Sequence, residues 1–185
     1  LGRSFVQPKY WGKRSLDYLW YGIGAYLRKH PQVRYMLGPV SPSNSYPELA
    51  KDLLVYFYSL YFTDHEHLAR SLSPNRIKPE TDKELQQLFN GNDYKEDFKC
   101  FKQQMDFLNV TVPTLYKQYA DVCDEGGVQF LDYGVDADLN LCIDGLVLVD
   151  ATYLKEKKSG DILVKFNSRA TICIHKGLPS PFFSA

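Results

Sequence analysis

A turn carrying Pro8, Gly12, Lys13 and Arg14 separates a run of strand-forming residues, 1–7, from an apolar-periodic segment that opens near Ser15. A strand that passes through a basic, glycine-containing turn into a helix leaves unpaired backbone N–H groups at the positive end of that helix, where they can hold a phosphate. Lys13 and Arg14 add formal charge. Many strand-to-helix turns carry Gly and Lys and bind nothing, so the spacing suits an ordinary connection equally well. Farther along, Ser41, Ser43 and Asn44 offer hydrogen bonds either to a ligand's amides or to the first turn of a following helix. Asp132 and Asp144 lie inside otherwise apolar strand sequences, where a carboxylate is costly unless it is paired or catalytic.

Other combinations fail on chemistry. Asp136-x-Asp138-x-Asn140 opens like a calcium loop, but Leu141 and Val147 stand where Gly and Glu are needed. His65 and His67 beside Asp64 and Glu66 have no third clustered ligand near them in sequence, so no metal is expected. Cys100, Cys123, Cys142 and Cys173 contain no CxxC pair and no His in a recognisable nucleophile motif, and they read as free thiols in a reducing compartment.

The elements that must position these groups follow from periodicity. Residues 1–7 predict a strand, 15–30 a helix stopped by Pro31, and 33–40 a strand that bends or splays at Gly38-Pro39. Ser45-Tyr46-Pro47-Glu48 matches a capping box and predicts a helix from Tyr46 to about Phe62, apolar on more than one side and therefore buried or bordering a pocket. Residues 63–91 read as a polar excursion from the core with a short helix near 83–89; helices follow over 92–108 and 114–123. Residues 127–135 and 141–150 predict a hairpin, 162–166 and 170–174 two further strands, and 177–185 an irregular tail. The order describes an α+β domain.

Length and composition narrow the function. With 185 residues the chain suits one domain or a domain with a small lobe, and 22 basic residues balance 22 acidic ones without a run of like charge. No nucleic-acid partner is expected of such a field. The aromatic share is 15%, high enough to line an apolar pocket as well as to fill a core. No stretch is long and apolar enough to span a bilayer. The chain opens on Leu1 and enters directly into a strand, so a preceding N-terminal part is expected.

LGRSFVQPKYWGKRSLDYL resembles the strand, turn and helix that bind the acyl donor in the GCN5-related N-acyltransferase (GNAT) superfamily. Val6, Pro8, Tyr10, Gly12 and Leu19 fit its pattern, whereas Arg14 and Leu16 replace the second and third glycines. Taken with YMLGPVSPSNSYP and GGVQFLDYGVDADLNLCIDGLVLVD, the opening block is similar to the hemolysin-like and ornithine-lipid-forming acyltransferases, and more distantly to acyl-homoserine-lactone synthases, which share an Arg at the position of Arg3.

The resemblance implies a GNAT-like fold with a mixed central sheet over 1–154, a helical insertion at about 63–123, an extension over 155–185, and part of the N-terminal half lacking. It implies transfer of a long acyl group from an acyl carrier protein or acyl-CoA thioester to an amine or lyso-lipid acceptor, with no permanently bound cofactor, in the cytoplasm and with peripheral membrane contact reasonable for a lipidic product. In that family two strands diverge and the donor's pantetheine arm lies between them. The backbone of Ser4, Phe5, Val6 and Gln7 would then face the thioester; Gly12, Lys13, Arg14 and Ser15 would hold phosphate, with Ser41, Ser43 and Asn44 on the arm or the acceptor. Arg3 would position an acidic group. A general-acid tyrosine corresponds to Tyr58, with Tyr56 or Tyr61 as alternatives, and Asp132 is the preferred base. The altered glycines also suit a second reading, a non-catalytic module that binds lipid or carrier protein.

Overall fold

The computed structural model describes residues 6–10, 13–155 and 183–184. Leu16, Trp20, Ile23 and Leu27 recur at helical spacing and form the inner stripe of α1, Ser15–Lys29. β1, Tyr35–Val40, alternates strictly: Met36, Gly38 and Val40 are buried while Tyr35, Leu37 and Pro39 are exposed. Next come α2 (Glu48–Tyr61), the short β2 (Arg70–Ser71), α3 (Pro79–Leu88), α4 (Tyr94–Phe107) and α5 (Thr114–Val122). The hairpin of β3 (Val128–Asp136) and β4 (Cys142–Asp150) completes the main sheet, and β5 (Phe183–Ser184) pairs with β2.

That sheet has the order β1-β4-β3, with both pairings antiparallel. β4 is the middle strand and is buried along most of its length, which suits its Val-, Ile- and Leu-rich sequence. Ile143, Val147 and Val149 face the helices together with Met36, Val40, Val128 and Phe130. Leu131 is an extra residue on β3, because Phe130 pairs with Val147 and Asp132 already pairs with Leu146. This β-bulge lets Phe130 and Tyr133 point to the same side although they are three apart, and it turns Asp132 to the other side.

The aromatic residues fill the space between the helices and this sheet. Phe57 of α2 stacks on Phe101 of α4 with ring centroids 4.5 Å apart and planes 6° from parallel. Phe89, Tyr94 and Phe98 surround the same ring. Tyr61 of α2 donates to Asp97 of α4 at 2.6 Å, and the backbone N–H groups of Gly91 and Asn90 donate to the same carboxylate. The rings of α2 and α4, which the composition suited equally to lining a pocket or filling a core, are therefore in contact with one another.

Burial alone would raise the Asp97 carboxyl, but the hydrogen bonds from Tyr61, Gly91 and Asn90 outweigh it and hold it below the ordinary aspartate value. Burial opposes Asp150 likewise, and hydrogen bonds from Arg34 and Thr152 prevail. Both groups bind protons more weakly folded than unfolded, so their contribution is complete above pH of about 4, the unfolded aspartate value, and disappears as pH falls through their folded values. Melting temperature should thus drop on acidification below that point, and Asp97→Asn should flatten the drop.

Several local expectations are corrected. The capping box does not form: α2 starts at Glu48 after an extended Pro47, no side chain caps it, and the Glu48 carboxylate pairs with Lys78 at 3.2 Å. β1 is not broken at Gly38-Pro39; all six residues are in register with β4. Pro39 is accommodated because β1 is an edge strand among the described residues, where a missing N–H is tolerated. The stretch 63–91 does not leave the sheet entirely, since Asn75 N–H donates to Tyr133 and Val135 N–H to Ser73, covering the outer edge of β3. The tail contributes β5, so it is not wholly irregular. The strands expected over 162–166 and 170–174 lie outside the described residues.

The hairpin tip is strained at one place. Asn140 and Leu141 have φ of 56° and 57°, and Cys142 N–H donates back to the Leu139 carbonyl at 3.2 Å, so they are the central pair of a type I′-like turn. Asn tolerates that region; Leu does not, at a cost of about 1–2 kcal/mol. Leu141 is exposed and loses little burial when replaced. Leu141→Gly is expected to raise the unfolding free energy by about 1 kcal/mol, measured by urea denaturation.

Candidate active site

The basic turn is partly described. Val6 and Gln7 are irregular and Pro8–Tyr10 is a single 3-10 turn. Lys9 and Lys13 lie 4.8 and 5.9 Å from the Tyr10 ring centroid. Ser15 Oγ donates to the Tyr10 carbonyl at 3.1 Å, closing the turn. Arg14 pairs with Asp17 at 2.9 Å and remains exposed. Arg14 also occupies the N-cap of α1 and no side chain caps the helix, so the first-turn N–H groups are served by no capping side chain. Arg3, Ser4, Phe5 and Gly12 lie outside the described residues, as does most of the strand expected over 1–7.

At the other end of β1 the chain turns through Ser41, Ser43 and Asn44, and these three have different partners. Ser41 Oγ donates to Asp144 Oδ1. Ser43 Oγ shares a hydrogen bond with Ser45 Oγ at 2.8 Å, within the turn. Asn44 Nδ2 donates to the carbonyls of Leu139 and Asn140 at 3.2 and 3.3 Å, tying the turn to the hairpin tip. Asp144 itself is 7% exposed in the middle strand, and among the described residues no Lys, Arg or His reaches it as an ion pair. Asp144 and its neighbour Asp132 both sit on the sheet face turned away from the helices.

Asp132 is already engaged. One oxygen accepts from Ser71 N–H at 2.7 Å and the other from its neighbour Tyr133 N–H at 2.8 Å, so the carboxylate fastens the β2 region to β3. The three candidate tyrosines also separate. Tyr61 is committed to Asp97, and Tyr56 stacks on Phe89 at 5.9 Å. Tyr58 is fully buried and its hydroxyl has no hydrogen-bond partner. Burial pushes its phenol far above the ordinary value, so it keeps its proton at working pH. Among the described residues no three His, Cys, Asp or Glu side chains gather as a metal site, and no helix is long and apolar enough to cross a membrane.

Two curated relatives share one name. Each is called glycine N(alpha)-acyltransferase. The protein from Bacteroides thetaiotaomicron is 35% identical over 126 residues, covering 64% of this chain and 37% of the relative. That from Phocaeicola vulgatus is 35% identical over 127 residues, covering 64% of this chain and 38% of the relative. The chain therefore spans little more than a third of the length of the curated relatives it matches. No family model matches the sequence, and no solved structure does.

Two features escaped the sequence reading. Ser41 and Asp144 are more than a hundred residues apart and meet only because β1 lies beside β4. Asp144 stood out as a carboxylate in an apolar strand, but nothing local marked it above Asp132. Tyr133 carries a second buried hydroxyl without a partner, and in sequence it is one strand aromatic among many.

Proposed function

We propose that this chain carries the donor-binding and acid-base part of an N-acyltransferase, which moves an acyl group from a phosphopantetheine thioester, on coenzyme A or on acyl carrier protein, to the amino group of a small amino acid. The observation that carries this reading is the 35% identity to two proteins named glycine N(alpha)-acyltransferase. The geometry supports it at three points. The uncapped first turn of α1, beside Lys13 and Arg14, suits the donor's phosphate. β1 pairs with β4 on one side, and this reading sets residues 1–7 along its other side with the pantetheine arm between. Asp144, buried without a counter-charge, suits an ammonium group that must lose a proton.

The roles then divide. Backbone N–H groups of 4–7 polarise the thioester carbonyl and Asp144 held by Ser41 accepts the amine's proton, while Tyr58, enclosed on the helical side of the sheet, is left to the core and given no proton transfer. Asp132 passes from base to structural tie. Arg3 remains the group proposed to orient an acidic acceptor, such as the carboxylate of an amino acid. Peripheral membrane contact and a lyso-lipid acceptor are the finer alternatives. Incubating the full chain with acyl carrier protein thioester or acyl-CoA and a panel of amino acids should release free thiol with glycine-like acceptors. Protection of the thioester without thiol release would instead identify a binding module.

A further inference from the structure

Exposed aromatic side chains and basic charge meet on one side of α1. The inner side of this helix belongs to the core: Trp20 packs edge-on against Tyr119 of α5 at 5.3 Å, and its indole N–H donates to Gln118 at 2.7 Å. On the opposite side Ser15, Tyr18, Gly22, Tyr26 and Lys29 follow one another at three- or four-residue intervals, with Leu19 beside them. Tyr18, Leu19 and Tyr26 are 62%, 40% and 40% exposed. Surface hydrophobics scattered singly need no explanation, but three large side chains on one helix face make a patch of the kind that marks a contact surface.

Charge sets this face apart from the rest of the molecule. Residues 6–30 contain Lys9, Lys13, Arg14, Arg28 and Lys29 against one acid, Asp17, in a chain whose net charge is zero. Asp17 is itself paired with Arg14. Residues 79–125, which hold α3, α4 and α5, carry ten Asp and Glu against five Lys. The basic residues stand at the two ends of α1 with the tyrosines between. At the first end Lys9 and Lys13 lie over the Tyr10 ring, and the Ser15 hydroxyl ties Tyr10 to the start of the helix by donating to its carbonyl at 3.1 Å. At the far end Tyr26 packs on His30 with ring centroids 4.4 Å apart.

We propose that the outward face of α1 seats on the surface of an anionic lipid bilayer, with Tyr18, Leu19 and Tyr26 at the level of the headgroups and the basic residues at either end on lipid phosphates. This goes beyond the transfer reading and does not depend on it. A tyrosine ring is apolar with a polar tip, which suits that boundary. Lysine stems lie along apolar surface while their ammonium groups stay among the headgroups. Each Lys or Arg near an anionic leaflet strengthens binding about fivefold. α5, part of the acidic segment, packs on the inner side of α1, so the field of the molecule turns the outward face toward negative charge. An acidic protein would answer the charge equally; the three apolar side chains between the basic ends favour lipid.

The test is co-sedimentation of the full chain with vesicles of phosphatidylglycerol mixed with phosphatidylcholine, and with vesicles of phosphatidylcholine alone. Wild type should partition onto the anionic vesicles at least about tenfold more strongly. Lys29→Gln should weaken that binding about fivefold at low salt and hardly at all at high salt. Tyr18→Ser combined with Tyr26→Ser should weaken it about tenfold at either salt concentration. Phe107→Ser, which removes an 81% exposed ring at the end of α4 in the acidic segment, should change nothing. All these side chains are exposed, so each variant should keep the wild-type melting temperature. Thiol release from soluble acyl-CoA, the measure of the transfer reading, should not differ between wild type and the tyrosine variant. No vesicle binding by wild type, equal binding to neutral vesicles, an unchanged tyrosine variant, or an equal loss in Phe107→Ser overturns the surface. Binding only to an acidic carrier protein, or only to a second copy of the chain, overturns it as well.

Discussion

Phe57→Ala is expected to lower the unfolding free energy by about 3–5 kcal/mol, the range for emptying a large aromatic site in a core. Phe57 is fully buried and its ring touches six others, Tyr58, Tyr61, Phe89, Tyr94, Phe98 and Phe101. These neighbours come from α2, the segment after α3, and α4, so truncation strips contacts from three pieces of chain together. Rings cannot shrink or bend to fill the gap, which places the loss at the upper part of the range. For a domain whose total stability is about 5–15 kcal/mol, the urea midpoint should fall sharply. Phe57→Leu, which keeps most of the volume, should recover a large part of it. A loss under about 1 kcal/mol, the level of an ordinary surface change, would mean that α2 and α4 are not packed as described.

The second large effect concerns chemistry. Asp144→Asn should reduce kcat/KM for the amine by about 10²–10⁴, the usual contribution of a positioned base. The asparagine amide keeps the size of the side chain and can still accept from Ser41, so thermal stability should stay within about 1 kcal/mol of wild type. Ser41→Ala, which removes the orienting donor and leaves the carboxylate, should cost less and should alter the pH profile of kcat/KM. Asp132→Asn provides the contrast: it weakens the tie to Ser71 and should act on stability ahead of activity. If Asp144→Asn turns over amine at the wild-type rate, the proton acceptor lies elsewhere.

Much of the fold was legible because it depends on local patterning. The helical stripe from Leu16 to Leu27 and the β-rich runs of the hairpin each announce their element within a few residues. What the sequence concealed depends on partners distant along the chain. Pro39 reads as a strand breaker until β1 is seen, among the described residues, to pair on one side with β4. Ser45 and Glu48 match a capping pattern, but their side chains find Ser43 and Lys78 instead. Asp132 reads as an interior carboxylate because strict alternation puts it on the same side as Val128 and Phe130, and only the bulge moves it. The site was legible to a similar depth. Asp144 stands out as a carboxylate in an apolar strand, while its pairing with Ser41 crosses from one strand to the next and no single stretch displays it.

The extra residue on β3 also sets which length changes that strand can survive. Taking Leu131 out would leave Phe130, Asp132 and Tyr133 as plain successive steps, inward, outward and inward again, which is the parity they already have. Removing a residue anywhere between 132 and 136 instead would turn every later side chain through the sheet, sending ring to water and carboxylate to core. At this one position the strand can change its count without changing what it shows to either side.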